Sequence, residues 1–133
     1  MTREEKDLLL KDLCARLHYG VKAYVKNWSK LDRKYYEGVY TVESIHPSLN
    51  IILVYSEKFS VEVLVGYDDY EIKPYLFPLS SMTEEQIIEL TKFVANGIMD
   101  ENIVYDWYNQ NHIDYRGLIE KGLAIDATNL DVY

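Results

Sequence analysis

A single cysteine, Cys14, stands in 133 residues, so no internal disulfide can form and no cysteine-based zinc site can be built. Three prolines and six glycines leave no low-complexity tract and no linker long enough to divide the chain. No apolar run approaches the roughly 20 residues a membrane span needs. The start, MTREEKDLLLKDL, places charges on both sides of a three-leucine run; a signal peptide needs a longer apolar stretch behind basic residues. These absences predict a cytoplasmic protein without a membrane role. GxGxxG, Walker and GxSxG motifs are missing too, and histidines at 18, 46 and 112 have no metal-ligand spacing. Neither cofactor nor metal is expected.

An apolar fraction of 48% with 27% charged residues belongs to a globular chain, and the length suits one domain over 1–133. The net charge of -8 is unevenly placed. Residues 1–34 hold nine Lys and Arg against five Asp and Glu, or +4; residues 35–133 hold five against seventeen, or -12. An acidic whole opposes general affinity for duplex nucleic acid, while the basic first quarter keeps a local exception open. The 13 tyrosines suit half-buried strands and contact surfaces, having apolar rings and polar tips.

Periodicity predicts an α+β fold: a helix in 1–19, an antiparallel sheet in 20–74, a helical segment in 83–122 and a tail from 123. Thr2 and Glu5 form a capping box, with Leu10, Leu13, Cys14 and Leu17 as the apolar stripe behind it and Gly20 as the stop. From there the period is two. Val21, Ala23 and Val25 face one way; Lys22, Tyr24, Lys26 and Trp28 face the other. KYYEGVYTVESI reads as a strand with Gly38 as a turn or bulge, NIILVYS as a central strand, FSVEVLVGY as a third, and DYEIKPY as a last one ended by Pro74. Asp68-Asp69 would make the hairpin between the final two. The expected sheet is small and curled, an SH3-like barrel or, failing that, a bent meander.

PYLFPLSS reads as an extended connector. Thr83-Glu84-Glu85-Gln86 repeats the capping box, with Ile87, Leu90 and Val94 inward and Gly97 as the stop. A further helix over 102–111 would turn Ile103, Trp107, Val104 and Tyr108 inward. The tail AIDATNLDVY is expected to have mobile last residues.

NHIDYRGLIEKG gathers His112, Asp114, Tyr115 and Arg116 and is the stretch most like an active site. Its spacing fits a capped helix instead. Asp114 would be the N-cap, Leu118 and Ile119 buried, Lys121 in the last turn and Gly122 the stop, with His112 and Arg116 solvated or paired with Asp114. Cys14 and His18 lie four apart, as a Cys–His nucleophile pair must, but Cys14 reads as a buried stripe residue.

VKAYVKNWSKLDRKYY interleaves cations with rings. Lys22, Tyr24, Lys26 and Trp28 share one strand face, the arrangement by which small barrels hold single-stranded nucleic acid. The alternative is an amphipathic edge strand guarded by lysines.

Three segments, MTREEKDLLLKDLCARLHYGVK, IKPYLFPLSSMTEE and IDYRGLIEKGLA, resemble a family of small proteins encoded by gut anaerobic bacteria and their mobile elements or phages. The likeness spans most of the chain and is weakest between Ala23 and Tyr70. It implies an intracellular accessory protein and carries no assigned chemistry, so it marks no site residues. Similar proteins hold proline where this chain has Glu120, which implies a shorter last helix.

The function expected from the sequence is non-enzymatic: a binding or adaptor protein acting on an unknown protein partner, with homo-oligomers included. A single-stranded nucleic-acid binder using the Lys22–Trp28 face is the alternative, and a small enzyme near His112 and Asp114 a third.

Overall fold

The structure is a computed structural model that describes residues 1–57, 60–95 and 101–133. Expectations placed on Phe59, the Val94 side chain and Gly97 lie outside the described residues. The elements are α1 (Arg3–Arg16), β1 (Lys22–Ser29), β2 (Lys34–His46), β3 (Ile51–Tyr55), β4 (Ser60–Leu64), β5 (Tyr70–Pro78), α2 (Glu84–Ala95), α3 (Glu101–Gln110), β6 (Ile113–Asp114) and β7 (Ile125–Asp126). The fold is α+β. One mostly antiparallel sheet has the order β4-β3-β2-β1-β5-β6, with β7 also on β5. Both β6 and β7 run parallel to β5.

Both capping boxes form. Thr2 Oγ1 accepts from the Glu5 N–H as Glu5 Oε1 accepts from that of Thr2, and Thr83 and Gln86 repeat the exchange. After α1 a short 3-10 turn leads to Gly20 at φ +68, the left-handed position a glycine fills without strain.

The core lies between α1 and one sheet face. Leu9 and Leu13 are fully buried against Ala23, Val25, Ile52, Val54 and Val63. Each such side chain contributes roughly 1.5–3 kcal/mol by leaving water. The helix is turned from the expected stripe: Cys14 is exposed, while Asp12 and Arg16 are buried. Cys14 is therefore not a core residue; only partial desolvation by its neighbours holds its thiol above the ordinary value.

β2 is continuous through Gly38, which pairs with Val25. A Cβ there would lie 3.5 Å from Tyr40 Cε2, so the Tyr40 ring covers the glycine. The bulge falls instead between Val42 and Ser44. One extra residue lets Val42 and Ile45, three apart, both reach the core.

The barrel is not formed. β4 pairs with β3 and β5 with β1, and no ladder among the described residues joins β4 to β5. Asp68-Asp69 is therefore no hairpin. A turn with Gly66 at φ +89 and the Tyr70 N–H on the Tyr67 carbonyl carries the chain to the far side of β1. β5 also runs past Pro74, because proline sits at the last rung of the β1 ladder, where its missing N–H costs nothing. The extended PYLFP segment is thus strand, not connector.

α3 lies where a helix was expected, and Trp107 is buried, but Ile103 is exposed. No helix follows Asp114. The expected helix N-cap role is not met: the Asp114 carboxylate accepts the Leu118 and Ile119 N–H groups, four and five residues on, at 3.0 and 2.9 Å, and after Gly117 at φ +78 the segment makes a single turn. Gly122 then closes it. Its N–H meets the Ile119 carbonyl, and the Leu123 N–H meets that of Leu118, the paired bonds of a Schellman stop. The tail is docked: Ala127 is buried, and the Tyr133 ring stacks 3.9 Å from His112.

Candidate functional site

The site with most chemistry lies where α1 and α3 meet the chain after β6. Arg16 is fully buried. Its Nε and Nη2 donate to Asp12 Oδ2 and Oδ1 at 2.9 and 3.1 Å, and Nη2 also to the Ile113 carbonyl at 2.7 Å. Arg116 Nη1 donates to the same Asp12 Oδ1 at 2.7 Å. One carboxylate thus faces two guanidinium groups. The Arg116 guanidinium lies 4.4 Å from the Tyr115 ring centre, which also stacks with Tyr105 at 5.0 Å and Tyr108 at 5.4 Å.

One stripe of α3, Asn102, Tyr105, Asp106 and Asn109, faces this network and with Lys11, Tyr115 and Arg116 lines an open recess of about 540 Å³. Among the described residues, five buried polar atoms have no hydrogen-bond partner: Arg16 Nη1, Trp107 Nε1, Asn109 Oδ1, His112 Nδ1 and Tyr115 Oη. All belong to α1, α3 or the four residues His112–Tyr115. Sequence reading missed Asp12, Arg16 and Lys11 altogether. The legible signal was an Asp and an Arg four apart on a helix face otherwise lined with leucine.

His112 and Asp114 are each engaged elsewhere. Both Asp114 oxygens are occupied by backbone N–H groups. His112 holds the left-handed position after α3, at φ +58, with its ring against Tyr133. Arg116 pairs with Asp12, not with Asp114. Burial, aided by the charges of Arg16 and Lys22, lowers His112 from 6.5 to about 4. Between those values the unfolded chain takes up a proton that the folded ring refuses, so stability falls as pH drops from 6.5 toward 4. Full linkage would give about 3 kcal/mol, and screening of the half-buried ring reduces this to about 1–2. Urea midpoints at pH 7 and pH 4.5 are expected to differ by less in His112→Gln than in the parent; equal differences would contradict the assignment.

Tyr133 ties the tail to the sheet. Where β5 leaves β1 after the Ala23–Pro74 rung, its hydroxyl enters between the strands. It accepts the Lys22 N–H at 3.0 Å and donates to the Tyr75 carbonyl at 2.8 Å. Burial pushes Tyr133 up to about 12. Tyr133→Phe leaves two backbone groups without this bridge and is expected to cost about 1–3 kcal/mol by denaturant unfolding. A loss below about 0.5 kcal/mol, the usual scatter of surface changes, would contradict it.

The four residues of the basic–aromatic face do share the outer side of β1, all half-buried. Lys26 lies 4.5 Å from the Tyr35 ring centre, and Trp28 meets that ring edge-on at 4.9 Å. Tyr24 donates to Glu37, which pushes its hydroxyl up to about 12. Lys22 lies apart, with its amine 6.0 Å from the Tyr133 ring. The registers set Lys26 between Glu37 on β2 and Glu71 on β5. These carboxylates offset the cation and weaken attraction for a polyanion.

Among the described residues no group of three or more His, Cys, Asp or Glu could hold a metal ion, and no helix is long and apolar enough to cross a membrane. An open α+β sheet with a cationic, tyrosine-walled recess thus defines the chain. Comparison with known proteins adds no relative: no family model, curated protein or solved structure matches it.

Proposed function

We propose that the protein works by binding rather than by catalysis, as a contact protein whose first partner is a second copy of itself. One observation carries this reading. α2 has no buried side chain among those described, yet Ile87 and Ile88 are more than half exposed, and Leu90, three residues on from Ile87, shares the face of Ile87. Apolar side chains left exposed on the described part of a helix mark a surface that a partner can cover.

Charge says which partner fits. α2 and α3 carry Glu84, Glu85, Glu89, Glu101 and Asp106 against Lys92 alone. The β1–β2 ribbon overhangs the sheet, since β5 pairs only with residues 23–27 of β1 and β3 only with 41–46 of β2. Its end carries Lys30, Arg33 and Lys34 against Asp32, around Leu31 at 93% exposure and Tyr35 at 55%. A basic, apolar-tipped ribbon on one copy matches an acidic, apolar helix face on the next. Such a contact is head-to-tail and builds rings or short chains.

Sedimentation velocity at low salt is expected to show species larger than a monomer, dissociating as salt rises and absent in Ile87→Asp. A monomer at every salt concentration, up to about 100 μM protein, would overturn the reading. The nucleic-acid alternative draws support from the Lys26, Trp28 and Tyr35 grouping, but Glu37 and Glu71 stand against it.

A further inference from the structure

The recess between α1 and α3 is chemically unlike the rest of the molecule. Where two helices approach, close packing of apolar side chains is the rule; here the α3 stripe is polar and aromatic, and a volume of about 540 Å³ stays open. That size lies within the range of small-molecule pockets, which are marked by a few convergent polar groups.

We infer that this recess binds a small ligand that joins one anionic group to a flat, hydrogen-bonding ring. The anion is specified by charge. Asp12 is shared by Arg16 and Arg116, which leaves the network beneath the recess one positive charge in excess. Lys11 on the rim adds another, and Asp106 takes one back. This is a cationic spot on a protein of net charge -8. Arg116 has spent one nitrogen on Asp12, and its guanidinium keeps further donors for a carboxylate or phosphate.

The ring is specified by the walls. Tyr105 is 43% exposed on the rim and continues the Tyr115 stack, so a flat group can extend that stack by one layer. Asn109 specifies hydrogen bonding. It lines the recess, is 4% exposed, and its Oδ1 has no partner in the protein. A buried amide oxygen left so is costly unless a donor reaches it. The Tyr115 hydroxyl, in the same wall, is also without a partner. The inference rests on other observations than self-association, which uses the apolar α2 face and the ribbon; Asp106 alone is common to the recess and the acidic surface.

The probes are uridine monophosphate, with inorganic phosphate and uridine as its separated halves, and 4-hydroxybenzoate, with formate and phenol as its halves, titrated by NMR or calorimetry. At least one joined probe is expected to bind at least about tenfold more tightly than either of its halves, since ring and anion contribute together. Lys11→Ala and Tyr105→Ala, both at exposed positions, are each expected to weaken it about tenfold, while Lys73→Ala on the sheet leaves it unchanged. The inference is overturned if no joined probe binds below about 10 mM. Phosphate alone binding as tightly as the joined probes overturns it too, as does unchanged affinity in both rim variants.

Discussion

Asp12→Ala is expected to cost about 3–5 kcal/mol of folding stability, the largest loss of any single substitution on α1. The carboxylate and the Arg16 side chain are both fully buried, and two arginines depend on it. Removing it leaves the Arg16 guanidinium in the interior with only the Ile113 carbonyl as partner. The penalty arises from that stranded charge, not from any great worth of the pair. The double variant Asp12→Leu with Arg16→Met, apolar and of similar volume, is therefore expected to lose less than Asp12→Ala, the remaining loss coming from Arg116, which keeps some access to solvent. For a domain whose total stability is about 5–15 kcal/mol, the single change removes a third or more. Urea unfolding of both variants checks this. A cost below about 1 kcal/mol for Asp12→Ala would mean that the ion pair reaches water.

Leu118→Ala is the second large effect, at about 2–5 kcal/mol. Leu118 is fully buried, and its N–H and carbonyl are held by Asp114 and Leu123. Alanine keeps both backbone bonds, so the loss isolates the side chain and the cavity it leaves. Leu123, also buried, closes the same turn. Ile119→Ala, one residue on and half-buried, is expected to cost about 1 kcal/mol. The contrast bears on how the His112–Gly122 stretch is read. A polar cluster on the surface would tolerate Leu118→Ala, whereas a turn anchoring the chain to the core would not. Denaturant midpoints of the two variants separate these cases.

What was legible in the sequence was local. Both capping boxes, the Gly20 and Gly122 stops and the two-residue period of β1 depend on neighbours within five residues, and all stand in the structure. The misplaced features depend on distant partners. Asp12 and Arg16 go unmarked by the sequence because what covers them, the Ile113 carbonyl and Arg116, lies about a hundred positions away. Alternation in β4 and β5 gave strands but not their neighbours, so a hairpin and a barrel were expected where β5 crosses to the far side of β1. Residue type points to Gly38 as the turn or bulge, while the odd spacing of Val42 and Ile45 is the better sign. Tyr133 is the sharpest case. Nothing in LDVY foretells a hydroxyl set between two strands.

The proposed self-association would use two different surfaces, which has a consequence that a symmetric contact lacks. Ile87→Asp blocks the helix face and leaves the ribbon intact; Lys30→Glu with Arg33→Glu blocks the ribbon and leaves the helix face. Sedimentation velocity of each variant alone, and of an equal mixture at low salt, is the decisive measurement. Each variant alone should run as a monomer, and the mixture should give a one-to-one dimer and nothing larger, because the intact ribbon of one meets the intact helix face of the other. A mixture that stays monomeric while the unaltered protein associates would contradict head-to-tail contact between the ribbon and α2.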